Sequence, residues 1–441
     1  MTDTLQQVMA ALATRFPSED RMIPDLDRIS LLADLLGSPQ LAYPSIHLTG
    51  TNGKTSTARM VDGLLRGFGL RPGRYTSPHL HSPTERISID GEPVSEQRFA
   101  EVFDEVLPLV ELVDSRSPAP MTFFEVLTGM AFAAFADAPV DVAVLEVGLG
   151  GLWDATNVVH AGTAVVLPIG LDHVPLLGTT LAEIATEKAG IIHEGATVVM
   201  AAQPVEAAEV LLRRCAEVGA TIAREGLEFG VLDRRTAVGG QLLTLRGLAG
   251  TYDDVFLPLH GPHQAANAAA ALAAVEAFLG GSGALDPEAV REGFRQASSP
   301  GRLEVLRTSP TVLVDAAHNP AGMAATVAAL ADAFAFTSLV AVVACLADKD
   351  VRSMLEVLEP AVSSVVVTTN ASPRALSADD LAELAVEVFG EERVDVEDAL
   401  DDAIDTAVRR AEDSGEFGGA GVLVTGSVVT VGEARTLLRR R

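Results

Sequence analysis

The chain has 441 residues, of which 32 are Lys or Arg and 60 are Asp or Glu, so its formal net charge is −28. This charge argues against general nucleic-acid binding, which needs a basic surface to displace counterions from phosphates, and it also disfavours anionic membranes. Hydrophobic residues make up 48% of the chain, which is enough for a core and excludes a wholly disordered or fibrous protein.

The two cysteines, Cys215 and Cys345, lie far apart, so the sequence contains no disulfide framework and no thiolate zinc site. The first residues carry Asp3 and lack the basic and apolar segments of a secretory signal. The longest stretch without charged residues, 255–275, contains two Pro and two His and does not resemble a membrane span. We therefore expect a soluble cytoplasmic protein without nucleic-acid or membrane partners. We also expect it to act as a monomer.

Short β-rich runs alternate with longer Ala-rich runs, which predicts an α/β fold with a mainly parallel sheet. The predicted buried strands are 46–49, 142–147, 163–169, 312–314, 339–344, 365–369 and 422–425. Residues 220–259 show short alternating runs broken by Gly, as in β-hairpins, and 265–279 has the composition of a strong helix. The turn-like segment 298–301 predicts a linker between an N-terminal domain, 1–297, and a C-terminal domain, 302–441.

The sequence TGTNGKTS, residues 49–56, follows the first predicted strand and precedes apolar residues at helical spacing. A glycine turn at a helix N-terminus favours an anion, because backbone N–H groups and the helix dipole point toward it. Gly50 and Gly53 would let the backbone approach phosphates, while Lys54 would reach the β/γ-phosphates and Thr55 would offer its hydroxyl to Mg²⁺. Leu48 stands where the longer GxxxxGK[ST] pattern has Gly, so a glycine turn with a solvated lysine is the alternative.

Three candidate metal ligands stand where predicted strands end. Glu146 closes one strand, His173 follows another, and Ser77 lies just after the next expected strand. In open parallel sheets the ligand lies beyond the carboxyl ends of the strands. Mg²⁺ prefers oxygen ligands, so His173 alone is a weak candidate. The ordinary alternatives are a strand-end carboxylate in solvent, a core histidine and a capped turn.

Lys188 is a less obvious candidate. Thr180 and Glu183 form a capping box, which predicts a helix that runs through Ile192 and carries Lys188. From the sequence alone a surface lysine is the ordinary interpretation, because lysine is rarely buried.

A second motif ends the strand 312–314. Asp315 closes this strand, and Asn319 can cap a helix with Pro320 at its first position. The helix N-terminus near His318 would suit a substrate carboxylate, whereas an ordinary helix cap is the alternative.

Together these motifs resemble the Mur ligase superfamily, and within it the folylpolyglutamate synthase/dihydrofolate synthase family. The resemblance covers nearly the whole chain and rests on the order and spacing of the strings TGTNGKTS, SPHL, ERI, TFFE, EVGLGG, DATN, LDH, EKAG, HQAAN, GR, DAAHNP and DKD. It implies a Mur-ligase-like α/β fold, with an N-terminal P-loop ATPase-type parallel-sheet domain that binds ATP and folate and a smaller C-terminal Rossmann-like α/β domain for glutamate ligation.

The resemblance implies ATP-dependent ligation of L-glutamate to folates, and also to dihydropteroate, through an acyl phosphate. The implied ATP contacts, from both domains, are Gly50, Thr51, Asn52, Gly53, Lys54, Thr55, Ser56, Asn267, Arg302 and Asp315. The implied ligands of two Mg²⁺ ions are Thr55, Ser77, Glu146, His173 and a carbamylated Lys188; K⁺ is a further expectation. The implied folate contacts are Arg86, Thr122, Phe123, Phe124, Glu125, Trp153, Asp154 and Ala155. Glutamate would contact His318 and Ser427, and the implied catalytic groups are Lys54, Lys188, His173 and His318.

Three positions depart from the family pattern, which often has Arg, Asp and Gly where this chain has Leu152, Pro175 and Ala316. Three alternatives stay open: a cell-wall UDP-muramyl peptide ligase, a nucleotide-binding protein without ligase chemistry, and a plain P-loop kinase. The strings TFFE, ERIS and DATN favour folate, and the short phosphate loop and second domain disfavour a kinase. The sequence does not separate addition of the first glutamate to dihydropteroate from extension of a polyglutamate tail.

Overall fold

The structure, a computed structural model, describes residues 2–15, 25–281, 283–413 and 419–440. The chain divides into two compact units. The first comprises Met1–Arg235, Leu242–Pro258 and Ala265–Ser298, and the second comprises Thr236–Gln241, Leu259–Gln264 and Ser299–Arg441. Within the described ranges, no helix combines the length and the apolar character needed to cross a membrane.

The first unit is built on an eight-stranded sheet. Its strands are β1 Ser45–Thr49, β2 Pro72–Tyr75, β3 Ile87–Ile89, β4 Glu92–Pro93, β5 Val142–Glu146, β6 Thr163–Val166, β7 Thr197–Met200 and β8 Thr221–Arg224. Their order is β4-β3-β2-β5-β1-β6-β7-β8. All pairs from β2 to β8 in this order are parallel, and β3 and β4 add antiparallel pairs at one edge. The predicted parallel sheet is therefore confirmed.

Helices cover this sheet. They are α1 Asp3–Ala13, α2 Asp27–Leu35, α3 Lys54–Gly67, α4 Glu96–Asp114, α5 Phe123–Asp137, α6 Val174–Leu177, α7 Leu181–Ala189 and α8 Val205–Glu217. Helices α1, α2, α4 and α5 share one apolar cluster with β2 and β5, and α7 and α8 share another with β6 and β7. All five residues of β1 are buried, as expected for a central parallel strand.

Four predicted strands end earlier than we expected, at Glu146, Val166, Val343 and Val367. The apolar run after Val166 continues because Leu167 and Ile169 are buried in a loop, where the Leu167 N–H donates to the Thr49 carbonyl. The predicted strand was too long because the prediction followed the apolar residues, which stay buried after the last residue that pairs with a neighbouring strand.

The predicted hairpin region forms a three-stranded sheet of order β11-β10-β9. Its strands are β9 Gly230–Ala237, β10 Gly240–Arg246 and β11 Thr251–Leu257, and they are followed by α9 Pro262–Leu279 and α10 Pro287–Arg295. The predicted helix is thus confirmed, and it begins three residues early at Pro262, since Pro is well suited to a first helical turn.

The second unit contains a six-stranded sheet of order β12-β13-β17-β14-β15-β16. Its strands are β12 Glu304–Thr308, β13 Thr311–Asp315, β14 Ser338–Val343, β15 Ser364–Val367, β16 Val394–Val396 and β17 Ala420–Thr425. Its helices are α11 Pro320–Ala333, α12 Val351–Leu358, α13 Ala378–Phe389, α14 Leu400–Asp413 and α15 Val428–Arg440. Only β12 pairs antiparallel. The edge strands β12 and β16 escaped prediction because they lack a buried apolar run.

Short 3₁₀ turns complete the described secondary structure, at Pro39–Leu41, Pro83–Arg86, Ala155–Val158, Glu359–Ala361 and Glu391–Arg393.

Helix α3, which begins at Lys54 within the glycine motif, packs against α10 through glycines. A Cβ added to Gly63 would lie 2.8 Å from the Gly293 carbonyl oxygen, and one added to Gly293 would lie 2.8 Å from the Leu64 Cα. The two backbones therefore approach as closely as they do because neither helix has a side chain at these positions.

We expect Gly63→Ala to lower stability. Alanine gains about 1 kcal/mol of helix propensity, but the added methyl group would meet a carbonyl oxygen that cannot rotate away, and such overpacking costs about 1–3 kcal/mol. Thermal unfolding of the variant checks this. Gly162→Ala is the control, because its Cβ would meet no atom within 4 Å. Equal melting temperatures for the two variants would contradict the expected close packing.

Candidate active site

The carboxyl ends of four neighbouring parallel strands bring the first group of candidate residues to one edge of the eight-stranded sheet. The glycine loop follows β1, Ser77 follows β2, Glu146 ends β5 and His173 follows β6. The order β2-β5-β1-β6 places β1 in the middle, so the glycine loop lies between the other segments.

The glycine loop is fastened to the segment that follows β6. The Thr51 N–H donates to the Pro168 carbonyl at 3.0 Å, and the Thr51 hydroxyl donates to the Gly170 carbonyl at 3.0 Å. The Gly170 N–H in turn donates to the Thr51 hydroxyl oxygen at 2.9 Å. These bonds hold the loop without using its side chains at positions 53 to 55.

Gly50 and Gly53 are both required by the loop. Gly50 has φ +148° and Gly53 has φ +89°, conformations that other residues rarely adopt. A Cβ on Gly50 would lie 2.7 Å from the Leu167 Cβ, and one on Gly53 would lie 2.7 Å from the Asn267 side-chain oxygen. Asn267 of α9, a predicted ATP contact, therefore lies against the loop. Asn52 and Ser56 belong to the loop and to the first turn of α3, respectively.

Two lysines converge on one carbonyl of this loop. Lys54 Nζ lies 2.9 Å from the Gly50 oxygen, and Lys188 Nζ lies 3.0 Å from the same atom. Lys188 is 4% exposed, so the surface-lysine alternative is wrong. Burial, and then the positive charge of Lys54, lower the pKa of Lys188 to about 7. A substantial fraction of this amine is therefore neutral near neutral pH.

The helix that carries Lys188 is shorter than predicted. The capping box is confirmed, since the Glu183 N–H donates to the Thr180 hydroxyl at 3.2 Å and the Thr180 N–H donates to the Glu183 carboxylate at 3.0 Å. However, α7 ends at Ala189 instead of running through Ile192. The helix stops at Gly190, where an added Cβ would lie 2.2 Å from the Leu152 Cα.

Glu146 gathers the other oxygen groups of the site. The Thr55 hydroxyl lies 2.8 and 3.0 Å from the two carboxylate oxygens, and the Ser77 N–H donates to one of them at 3.2 Å. Glu146 is 1% exposed, so a strand-end carboxylate in solvent is the wrong interpretation. A buried carboxylate beside the Thr55 hydroxyl offers the oxygen ligands that Mg²⁺ prefers. Among the residues that the structure describes, no cluster of three His, Cys, Asp or Glu side chains is placed to hold a metal.

His173 lies at the N-cap position of α6 in a left-handed conformation, with φ +50°. Its side chain is 35% exposed, and Nε2 lies 3.9 Å from the Asp172 carboxylate, so it is not a core histidine. Pro175, which departs from the family pattern, occupies the first turn of α6, where Pro is well tolerated.

Two of the predicted folate contacts have structural partners. Thr122 and Glu125 form the capping box of α5, and the Thr122 N–H donates to Glu125 at 2.7 Å. Arg28 Nε donates to the Glu125 carboxylate at 3.0 Å, and both side chains are buried. These contacts give Glu125 a structural role that sequence reasoning missed, because its partner Arg28 lies 97 residues away.

Arg86 and the two phenylalanines lie together. The Arg86 guanidinium carbon lies 5.2 Å from the centre of the Phe123 ring, and Arg86 Nε donates to His79 Nδ1 at 2.9 Å. Phe124 contacts Tyr75, with ring centres 5.7 Å apart. The buried Arg86 thus covers an aromatic surface at the start of α5.

A buried chain of hydrogen bonds, also missed from the sequence, runs from β1 to Asp154. His47 Nε2 lies 2.8 Å from the Thr156 hydroxyl, which donates to Asp154. Asp154 also accepts from the Leu149 N–H at 2.9 Å. Since Thr156 gives its proton to Asp154, it accepts from His47, and the His47 proton lies on Nε2. A histidine between Ile46 and Leu48 was the only signal in the sequence.

The residues around Asp154 belong to the same loop. Trp153 hydrogen-bonds Glu187, and Ala155 is buried. Leu152, where the family often has Arg, has a half-exposed side chain, and its N–H donates to the Glu187 carbonyl at 2.8 Å.

The second unit holds the remaining predicted residues. Asp315 is buried and accepts from the Leu303 N–H at 2.8 Å, the Ala317 N–H at 2.9 Å and the Thr326 hydroxyl at 2.8 Å. These bonds join the start of the unit to the end of β13. Arg302 lies next to Leu303, and its charge acts on His263 together with that of Asp315.

The predicted helix cap after β13 is confirmed, because the Asn319 side chain accepts from the Gly322 N–H at 2.7 Å. His318 Nδ1 lies 2.9 Å from the carbonyl of Ala316, the third departure, whose own N–H donates to the Gly301 carbonyl at 2.9 Å.

Ser427 is also buried and serves as the cap before α15. Its hydroxyl accepts from the Thr430 N–H at 3.1 Å and lies 3.3 Å from the Asn370 side-chain nitrogen. The hydroxyl predicted to contact glutamate therefore also orders the end of β17.

The buried His47 makes stability depend on pH. Burial, and then the charge of His193, lower the pKa of His47 from 6.5 to about 3, so below pH 6.5 the unfolded chain binds a proton that the folded chain excludes. Stability supplied by neutral His47 is present above pH 6.5 and is lost as pH falls toward 3, by up to about 1.4 kcal/mol per pH unit.

His47→Gln keeps a donor near Nε2 but cannot titrate, so we expect a shallower loss of stability between pH 6.5 and 4. Denaturant unfolding across this range measures the difference from the unchanged protein. His160→Gln, at an exposed histidine, is the matched control and keeps the original slope. The same slope in all three proteins would contradict the assigned neutral His47.

Comparison with known proteins agrees with this geometry. Residues 48–275 match the Mur ligase middle domain, and residues 301–428 match the Mur ligase glutamate ligase domain. A Mycobacterium tuberculosis protein named dihydrofolate synthase/folylpolyglutamate synthase is 53% identical over 460 aligned residues, which cover 99% of this chain and 94% of that protein.

Solved structures give the same result. The Mycobacterium tuberculosis folylpolyglutamate synthase complexed with ADP superposes with a TM-score of 0.95 and 53% identity, covering 99% of each chain. Escherichia coli FolC in complex with DHPP and ADP superposes with a TM-score of 0.86 and 30% identity, covering 99% of this chain and 98% of that one. The Mur-ligase-like fold is therefore confirmed, and the chain belongs to the Mur ligase family and, within it, to the dihydrofolate synthase/folylpolyglutamate synthases.

Proposed function

We propose that this chain is an ATP-dependent ligase that joins L-glutamate to folates, and also to dihydropteroate, through an acyl phosphate. The observation that carries the proposal is the convergence of Lys54 and Lys188 on the Gly50 carbonyl, beside the Thr55–Glu146 pair. The relatives support it, since one is solved with ADP and another with ADP and DHPP.

The triphosphate of ATP would lie along the glycine loop, residues 50 to 56, with Asn267 beside it. The backbone N–H groups at the start of α3 and the Lys54 ammonium would neutralise the phosphates. Arg302 and Asp315 remain predicted ATP contacts from the second unit. Asp315 already accepts three hydrogen bonds, so its capacity for a further donor is small.

Divalent cations fit the donor groups of the first unit. Thr55, Ser77 and Glu146 would hold one Mg²⁺, and His173 with a carbamylated Lys188 would hold a second. Bound cations would neutralise charge between the phosphate and the acceptor carboxylate. The partly neutral amine of Lys188 fits carbamylation, which consumes an unprotonated amine and yields an anion. A K⁺ requirement remains a prediction from the resemblance, and the monomeric state also remains a prediction.

The chain's own residues would then position two reactants that repel each other. Lys54 would hold the γ-phosphate while it passes to the folate carboxylate, which gives ADP and an acyl phosphate. The glutamate amine would attack the acyl carbon and release phosphate, forming the amide. His318 and Ser427 remain the predicted glutamate contacts, and the N-terminus of α11 near His318 suits a carboxylate. Segment 298–301 remains the predicted linker.

Substrate dependence tests the proposal directly. We expect sustained ADP release only when ATP, glutamate and a folate or dihydropteroate are all present, because the acyl phosphate forms only on the folate or dihydropteroate and is consumed only by glutamate. A coupled ADP assay with mass analysis of the amide product measures this. Full turnover without folate would indicate a simple ATPase, turnover with a UDP-linked sugar acid would indicate a cell-wall ligase, and ATP binding without ADP release would indicate a nucleotide sensor.

Lys188→Ala tests the buried lysine. We expect it to reduce turnover by about 100-fold or more, the scale on which loss of one preorganised charged group acts, and bicarbonate should not restore activity. Lys188→Arg, which keeps the cation but cannot be carbamylated, should be equally inactive. Labelled bicarbonate should give a carbamate NMR signal in the unchanged protein and in neither variant. Unchanged turnover of folded variants would remove Lys188 from the mechanism.

A further inference from the structure

One arginine of the first unit has no role in the function proposed above. Arg59 lies on α3, four residues after Thr55, so both residues share one face of the helix. Helical side chains lean toward the helix N-terminus, and the long Arg59 side chain therefore extends back toward Thr55 and Glu146. The position places a guanidinium near the candidate metal site.

The surroundings of Arg59 are charged and partly buried. Burial, and then the positive charge of Arg74, lower the pKa of Arg59 to about 10. The negative charges of Glu85, Asp62 and Glu146 act in the opposite direction. Arg59 therefore lies between the Glu146 end of β5 and the loop after β2 that contains Glu85.

Each of these three acids is already hydrogen-bonded elsewhere. Asp62 lies 3.0 Å from Arg74 and 3.3 Å from Arg66. Glu85 accepts from three backbone N–H groups, those of Leu80, His81 and Ser82. Glu146 accepts from Thr55 and Ser77.

Arg59 itself makes no hydrogen bond or ion pair with any residue that the structure describes. The fully buried arginines of this unit differ in this respect. Arg28 binds Glu125, Arg74 binds Asp62, and Arg86 donates to His79. A guanidinium presents five N–H donors, and holding it in a partly buried position without an acceptor is unfavourable unless a ligand supplies one.

We propose that Arg59 binds the oxyanion of a substrate beside Glu146, and that this oxyanion is the folate carboxylate that accepts the phosphoryl group. The planar fork of a guanidinium matches the two oxygens of a carboxylate. Among the acids that act on Arg59, Glu85 has the largest effect, and it directly precedes Arg86, a predicted folate contact. This inference rests on the proposed ligase function.

A phosphate of ATP offers the same oxyanion chemistry, and steady-state kinetics separates the two sources. We expect Arg59→Gln to raise the KM for the folate substrate by roughly 10- to 100-fold, the range for loss of a charged hydrogen bond, while the KM for ATP stays within about twofold. Arg59→Lys keeps the positive charge but lacks the planar guanidinium fork. Its KM for the folate substrate should therefore lie between those of the unchanged protein and Arg59→Gln. Arg66→Gln is the matched control, because Arg66 lies on the same helix but is paired with Asp62. This variant should keep the KM values for both the folate substrate and ATP.

Calorimetric binding of the folate substrate provides a readout that needs no turnover, and Arg59→Gln should weaken it by the same factor. An unchanged folate affinity in a folded Arg59→Gln protein would overturn the proposal, as would a raised KM for ATP alone. If Arg59→Gln does not fold, the folate affinity and KM values of Arg59→Lys test the proposal by the same criteria. If the unchanged protein binds folate but makes no amide, the ligase proposal fails, while the binding comparison still tests Arg59.

Discussion

The constraint on which the site depends is the meeting of two ammonium groups at one carbonyl oxygen. Lys54 and Lys188 donate to Gly50 from the start of α3 and from α7, and one of them is buried. Their mutual repulsion is relieved by loss of a proton, by conversion of one amine to an anion, or by a bound anion. A phosphate satisfies the third condition, and the neutral fraction of Lys188 makes the second accessible. The electrostatics of the loop therefore favour an anionic ligand before any ligand is specified.

This arrangement requires the backbone around Gly50 to stay fixed. Hydrogen bonds beneath the loop hold it in place. Thr51 is bonded to Pro168 and Gly170, and the His47–Thr156–Asp154 chain connects β1 to the loop after β5. Since these bonds use backbone groups and the hydroxyls of Thr51 and Thr156, they do not occupy the side chains of Lys54 and Thr55. A site built in this way is preorganised, which lowers the cost of orienting highly charged reactants.

Local patterns in the sequence predicted much of this architecture. The capping box at Thr180, the cap at Asn319 and the buried strands each depend on neighbours within a few residues, and all of them are confirmed. Contacts between residues far apart in the sequence were not predictable from it. Burial of Lys188, the Arg28–Glu125 pair and the His47 chain each join segments far apart in sequence. The early end of α7 at Ala189 was not predicted either, and Gly190, the next residue, lies against Leu152 from 38 positions away.

Lysine and arginine are used differently in this protein. The chain has three lysines, so 32 − 3 = 29 of its basic residues are arginines. Lys54 and Lys188 are thus two of only three lysines, and they meet at the same atom. Arginine serves the ion pairs of this protein well, but its guanidinium stays protonated and cannot become a neutral nucleophile. The proposed carbamylation of Lys188 would need an amine that can lose its proton, and the proposed phosphate contact of Lys54 would suit a compact point charge. The third lysine, Lys349, lies outside this unit, so the lysines of the first unit are Lys54 and Lys188, the two that donate to the Gly50 carbonyl.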